Sequence, residues 1–158
     1  MKKIKVSFDT WIQLLGMVGV LGGLVFVGLE MQQAQLIAEA GQQQNRTETI
    51  IAQISSYNEM GVDWHSIGLE NNADYGDEFS IEEIASRNNF HQILTLYESD
   101  FFQFSQGLMP ESVWIAKLDA IAYWKSQCNH REILNLRKQF FPQELVRIID
   151  SLPEECSD

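Results

Sequence analysis

The stretch WIQLLGMVGVLGGLVFVGL, Trp11 to Leu29, decides the N-terminal part of the fold. It contains no charged residue, and Gln13 is its only strongly polar side chain. A helix of this length, rising about 1.5 Å per residue, covers roughly the 30 Å hydrocarbon core of a bilayer. Trp11 stands at one boundary, where an amphipathic indole prefers the headgroup level. Residues 11–29 are therefore predicted to form a transmembrane helix.

Two other interpretations of this stretch stay open. A cleaved secretory signal has an apolar run of about 7–15 residues followed directly by a small-residue cleavage site. The nearest such site here, Ala38-Glu39-Ala40, lies beyond a Gln-rich stretch. A buried helix of a soluble domain is the second alternative, but the five glycines in the stretch would weaken a soluble helix. The sequence favours an uncleaved anchor in contact with the lipid bilayer.

The basic residues near the segment indicate its orientation. Lys2, Lys3 and Lys5 precede it, whereas the first basic residue after it is Arg46. The positive-inside tendency places residues 1–10 in the cytoplasm and the rest of the chain across the membrane. In a bacterium this predicts the inner (cytoplasmic) membrane, with the distal domain in the periplasm.

The charge balance excludes one class of partner. The chain carries 11 basic and 22 acidic side chains, a formal net charge of −11. Residues 1–10 contribute +2, so the remainder carries −13. Affinity for nucleic acid comes chiefly from Lys and Arg neutralising phosphates, so an acidic domain is not expected to bind nucleic acid.

Glycines in the apolar segment suggest an association surface. Gly19 and Gly23 form a GxxxG pattern, and Gly16 lies one turn earlier. Small residues let transmembrane helices approach closely, although glycine is also common in such helices in general. We expect Gly16, Gly19 and Gly23 to support a homo-oligomer or contact with another membrane protein.

Residues 30–60 lack proline and contain good helix formers in their first half. Apolar positions recur at three- or four-residue intervals, with a polar gap between them: Leu36, Ile37, Ala40, Ile50, Ile51, Ile54 and Tyr57. The spacing predicts a stalk helix that continues from the membrane to about Tyr57, with a bend at Gly41 left open. Its apolar stripe is expected to pack on the distal domain or on a second copy of itself.

The remaining chain divides into a loop, a helical domain and a tail. Residues 61–79 form an acidic, glycine-rich stretch that predicts a loop, and its acids lack the alternating spacing of an EF-hand. Residues 80–152 begin with a capping box, Ser80 to Glu83, and a similar cap pattern recurs from Asn129 to Glu132. The fold predicted is all-α, with a bundle of about four helices after the stalk and a flexible tail at residues 153–158.

Three segments carry a family resemblance: WHSIGLENNADYGDEFSIEEIASRNNFHQILTLYESDFFQFSQGLMPESVW (64–114), AYWKSQ (122–127) and FFPQELVRIIDSL (140–152). Together with the apolar span, they resemble a widespread group of uncharacterised bacterial single-span membrane proteins. Gln143-Glu144-Leu145 departs slightly from the Glu-Phe type of the group. The resemblance implies a bacterial inner-membrane protein with a small helical domain, and it implies no activity or ligand.

Few residues suggest chemistry. His91 falls on the apolar face of its predicted helix, two turns before Glu98, and the two form a candidate polar site. A core histidine is the commoner arrangement. His65 is expected at the surface of the loop, and His130 in the first turn of a helix, where the dipole disfavours a cation. Nucleophile, phosphate-binding and zinc motifs are absent, so we expect no catalytic residue, cofactor or metal.

The two cysteines, Cys128 and Cys156, leave a choice between a disulfide and unpaired thiols. A disulfide would require an oxidising compartment. The sequence favours one partly buried thiol and a second one in a frayed terminus.

Three functions remain in view. The sequence favours a membrane-anchored, non-enzymatic interaction, scaffold or auxiliary protein that is oligomeric. The alternative is a ligand- or ion-responsive sensor or channel subunit. An enzyme centred on His91 and Glu98 ranks third.

Overall fold

The computed structural model describes residues 7–72, 75 and 78–153. Over these residues the fold is all-α, as predicted, with six α-helices and no strand. The helices are α1 Phe8–Glu59, α2 Trp64–Gly68, α3 Ile81–Ser105, α4 Glu111–Lys125, α5 Arg131–Lys138 and α6 Gln143–Ser151. A 3₁₀ helix, Cys128–His130, precedes α5. The chain divides into two compact units, residues 1–39 and 40–158, and the boundary lies inside α1.

The described part of the first unit is the N-terminal part of α1. Every residue from 7 to 35 is exposed. Among the described residues, α1 is the one helix long and apolar enough to cross a membrane, by length and composition only. None of its apolar window is buried, so this segment is not a core helix of the folded chain. A signal sequence would meet the same criteria.

In the second unit, the C-terminal part of α1 packs on α3. Ile54 is fully buried and Thr47 nearly so, whereas the predicted stripe residue Ile50 is exposed. The Gln92 side-chain amide donates to Ser55 Oγ at 2.9 Å. The helix ends where Gly61 adopts a φ of +66°, which glycine reaches without the steric cost of a Cβ.

The predicted loop 61–79 was wrong in one part, because it contains α2, Trp64–Gly68. Asp63 caps this short helix: its carboxylate accepts hydrogen bonds from the Ser66 backbone N–H at 3.0 Å and the Ser66 hydroxyl at 2.7 Å. An Asp with a Ser three residues later favours such a cap. The helix was missed because Asn, Asp and Gly dominate the surrounding sequence.

Helices α3 to α6 enclose the hydrophobic core. The predicted capping box is confirmed: Glu83 N–H donates to Ser80 Oγ, and Ser80 N–H donates to Glu83 Oε2 at 2.7 Å. Buried side chains of the core are Phe90, Leu94, Tyr97, Phe101, Trp114, Ile121, Ile133, Leu134, Phe141, Leu145 and Ile149. The four helices predicted after the stalk are therefore present, together with the additional helix α2.

The connection from α4 to α6 differs from the prediction at one point. Asn129 does not cap α5, because it lies inside the 3₁₀ helix and His130 occupies the N-cap position. At the other end of this connection, the buried residue Lys125 stabilises the C-terminal end of α6. Its ammonium group donates to the carbonyls of Ile149 at 3.0 Å and Leu152 at 2.7 Å. A cation at these carbonyls also complements the helix dipole.

The structure corrects the expectation for one cysteine. Cys128 is disulfide-bonded, whereas the sequence favoured an unpaired thiol. Cys156, like the predicted basic N-terminus up to residue 6 and most of the predicted tail, lies outside the described residues.

Candidate functional site

A set of polar residues is buried where α2 packs on α3. We call it the buried polar cluster. Its members come from the turn after α1, from α2 and from the first half of α3, and each is at most 9% exposed: Asp63, His65, Ser66, Arg87, Asn88 and His91. Burying polar groups costs free energy unless they are paired. Their pairing therefore determines what the cluster can do.

Asp63 and Arg87 form the ionic centre of the cluster. Arg87 Nε donates to Asp63 Oδ1 at 3.1 Å, and Nη2 donates to Oδ2 at 3.2 Å, a bidentate arrangement. Burial pushes the pKa of Asp63 upward, but the hydrogen bonds from Arg87 and Ser66 outweigh it and hold the pKa below its usual 3.8. The guanidinium also lies over the Phe79 ring, 4.1 Å from its centroid. The carboxylate is thus ionised and fixed at neutral pH.

Asn88 fastens the turn before α2 to α3. Its side-chain carbonyl accepts from the Trp64 backbone N–H at 2.9 Å, and its amide donates to the Val62 carbonyl at 2.9 Å. One side chain thereby satisfies two partly buried backbone groups. These bonds hold the residues next to His65 in place.

His65 and His91 form a buried imidazole pair. Both side chains are inaccessible to solvent, and His65 Nδ1 lies 3.0 Å from His91 Nε2. Trp64 packs edge-on against the His91 ring with centroids 4.7 Å apart. Burial, then the positive charge of Arg137, lowers the pKa of His91 to about 2. A neutral His91 has one N–H, so one imidazole of the pair donates and the other accepts.

The outer nitrogen of His65 faces two carboxylates. Nε2 lies 3.3 Å from Glu70 Oε1, yet it makes no hydrogen bond within the described residues. A ring nitrogen of His65, a Glu70 oxygen and a Glu132 oxygen all lie within 4.8 Å of one another. One imidazole and two carboxylates form a donor set that divalent transition metals accept.

The two residues of the predicted polar site, His91 and Glu98, each have another partner in the structure. Glu98 Oε2 instead lies 3.7 Å from Arg137 Nη2, and Arg137 Nη2 donates to Thr95 Oγ1 at 3.2 Å. Burial raises the pKa of Glu98, while Arg137 and then Arg46 oppose this shift. The two candidate residues therefore have different partners, and His91 belongs with His65.

Gly16, Gly19 and Gly23 lie on the exposed part of α1. A methyl group added at any of them would meet nothing within 4 Å. Each glycine thus leaves the helix surface open for a neighbouring helix or for lipid.

The prediction for His65 was wrong, whereas His130 lies at the start of α5, close to its predicted place in the first turn of a helix. His65 is buried rather than at the surface, because α2 turns it towards α3. His130 is also buried and stacks on Phe90 with centroids 4.4 Å apart, while its Nε2 lies 3.1 Å from Ser86 Oγ. Burial, then Arg87, lowers the pKa of His130. The signal that was available, a Trp-His pair following Asp63, is short and not specific.

Comparison with known proteins does not assign the chain to a family. No family model, no curated protein and no solved structure matches the chain. The resemblance to single-span bacterial proteins stays a prediction.

Proposed function

We propose that this chain is a membrane-anchored, non-enzymatic interaction or scaffold protein, held in the bilayer by residues 11–29. The observation that carries the proposal is the exposure of every residue from 7 to 35, including the whole apolar stretch. Soluble proteins rarely expose a continuous apolar surface of this extent, and lipid is the medium that covers such a helix at least cost. The domain after α1 would then be the part that meets a partner.

The proposed orientation follows from Lys2, Lys3 and Lys5, which precede the span. The N-terminus would be cytoplasmic, and the helical domain would lie in the periplasm of a bacterial cell. Reporters active on only one side of the membrane, fused after Asp158, test this arrangement. Activity of the cytoplasmic reporter alone would reverse the proposed topology.

Extraction and mass measurement test the anchor itself. An uncleaved span keeps the protein in the membrane pellet after alkaline carbonate washing and gives an intact mass near 18.1 kDa. A cleaved signal would instead release a shorter, soluble chain. Recovery of that shorter chain would contradict the anchor and leave the helical domain without a membrane role.

Self-association through the glycine face is the second part of the proposal. At about 100° per residue, Gly16, Gly19 and Gly23 fall on one side of the helix and Gly28 falls on the other. Gly19→Leu with Gly23→Leu should shift the protein to a smaller species in crosslinking and blue-native gels. Gly28→Leu is the matched control and should leave the size unchanged. An unchanged size in the double variant would refute the role of these glycines.

The alternative function, a ligand-responsive sensor or channel subunit, has one observation in its favour. A groove of about 520 Å³ lies between α3 and α6, and Phe101, Phe104 and Ile148 line part of it. A ligand of the native state must raise the melting temperature. A screen of small apolar molecules that shifts melting in wild type, but not in a Phe104→Glu variant, would favour the sensor over the scaffold.

A further inference from the structure

We propose that His65, Glu70 and Glu132 bind one divalent transition-metal ion, such as Zn²⁺. Their three donor atoms already lie within 4.8 Å of one another. Imidazole nitrogen and carboxylate oxygen are common zinc ligands, and three protein ligands leave a fourth position for water or another group. The site lies wholly within the second unit, so it does not depend on how the chain is anchored.

The distances fit a metal-centred arrangement. Bonds of about 2.0–2.2 Å in a tetrahedral site place neighbouring ligand atoms roughly 3.3–3.5 Å apart. The 3.3 Å between His65 Nε2 and Glu70 Oε1 matches that spacing. The Glu132 side chain is 71% exposed, so packing does not oppose the small movement that would complete the site.

The environment of the His65 side chain provides a second observation, independent of the ligand distances. Its side chain is only 1% exposed, and its Nε2 has no hydrogen-bond partner among the described residues. An unsatisfied buried nitrogen is costly, and each such group in a folded protein requires an explanation. A cation between this nitrogen and the two carboxylates would supply the missing bond.

His91 is placed to orient the ligand. Metal-bound histidines usually donate their second ring N–H to a fixed acceptor, which sets the tautomer. His65 Nδ1 lies 3.0 Å from His91 Nε2, and Trp64 packs against the His91 ring. With the His65 proton on Nδ1, the lone pair on Nε2 points to the carboxylates. His91 is therefore a positioning residue in the proposed site.

Arg87 places a positive charge next to the proposed metal site. Its Nη1 lies 4.0 Å from Glu132 Oε2, and a guanidinium beside a bound cation is unfavourable. However, Nε and Nη2 of Arg87 donate to Asp63, whose carboxylate holds the guanidinium and offsets its charge. The metal would thus compete only for the long contact between Glu132 and Arg87, while the buried ion pair stays intact.

The ligand set also predicts selectivity. A nitrogen donor favours Zn²⁺ and Co²⁺ over Ca²⁺ and Mg²⁺, which prefer sites made of oxygen atoms only. Calorimetric titration of the full chain in detergent, stripped with a chelator and free of any affinity tag, should show one saturable Zn²⁺ site. Millimolar Ca²⁺ or Mg²⁺ should not displace the zinc.

Variants of the exposed ligands keep the test independent of folding. Glu70→Gln and Glu132→Gln should each weaken Zn²⁺ binding by about tenfold or more, since each removes a charged ligand. Glu144→Gln, at an exposed glutamate on α6, is the matched control and should bind as wild type does. His91→Gln should weaken binding about 10–100-fold if it orients His65.

Two results would overturn the site. One is the absence of saturable Zn²⁺ binding by the wild-type chain. The other is wild-type affinity in both Glu70→Gln and Glu132→Gln, which would mean that zinc binds adventitiously to other acidic side chains. Co²⁺ absorption provides a second readout, because the visible spectrum of bound Co²⁺ changes when a ligand is lost even if another group replaces it.

Discussion

Both carboxylate oxygens of Asp63 accept hydrogen bonds from the guanidinium of Arg87, at 3.1 and 3.2 Å, in the buried interior between α2 and α3. The same carboxylate caps α2 through Ser66. One side chain thus joins the cap of a short helix to a tertiary ion pair. The position of His65 depends on this link, because five residues alone make too short a helix to be stable without tertiary support.

Asp63→Asn should destabilise the domain by about 3–5 kcal/mol, because it leaves the Arg87 guanidinium buried without its counter-charge. The measurement is urea unfolding of the full chain in detergent, followed by tryptophan fluorescence. Glu144→Gln removes an exposed carboxylate 3.8 Å from Arg147 and should change stability by less than about 1 kcal/mol. Equal effects of the two substitutions would argue against the buried ion pair.

Phe90→Ala should cost about 3–5 kcal/mol of unfolding free energy, because the ring is 1% exposed and stacks on His130. Phe140→Ala is a matched control with the same chemistry at a ring that is 62% exposed. We expect the control to remain within about 0.5 kcal/mol of wild type in the same unfolding measurement. A small loss at Phe90 would mean that the core is not packed around this ring.

Two glycines should respond to alanine with opposite signs. Gly107 ends α3 with a φ of +71°, so Gly107→Ala should destabilise by about 1–2 kcal/mol although the space around it is open. Gly41 lies inside α1 with nothing within 4 Å, so Gly41→Ala should stabilise its helix by about 0.5–1 kcal/mol. Thermal unfolding by circular dichroism measures both. Stabilisation at Gly107 would contradict the left-handed helix end.

Glu98→Gln should become more stable relative to wild type as the pH rises. Burial raises the pKa of Glu98 above its usual 4.5. A carboxyl with a raised pKa stabilises the fold below that usual value, and the contribution is lost as the pH rises through the folded pKa. Glutamine stays neutral at every pH, so the variant does not undergo this loss of stability. Unfolding free energies of both chains from about pH 4 to about pH 7 test this.

The opposite trend, in which wild type gains stability over Glu98→Gln with rising pH, would mean that the ion pair with Arg137 outweighs the cost of burial. Leu96→Gln, at an exposed position on α3, controls for the effect of a neutral amide on the helix. Its difference from wild type should not change with pH.

Local signals in the sequence determined the longer helices and several of their ends, although they did not reveal α2. Residues 11–29 are apolar except for Gln13, and their helical structure follows from composition without any long-range contact. The capping box at Ser80 and the end of α3 at Gly107 depend on side chains and φ angles within one turn, so sequence spacing reveals them.

Only the tertiary structure decided the candidate metal site. His65 and His91 are 26 positions apart and belong to different helices, while Glu132 comes from a third. Spacing along the chain carries no information about such a meeting, since it depends on how α2 and α5 each pack on α3. The sequence also paired His91 with Glu98, whereas in the structure Glu98 lies 3.7 Å from the Arg137 guanidinium and His91 lies 3.0 Å from His65. Buried charges take the nearest opposite charge in space, and that partner is set by the fold rather than by helical periodicity.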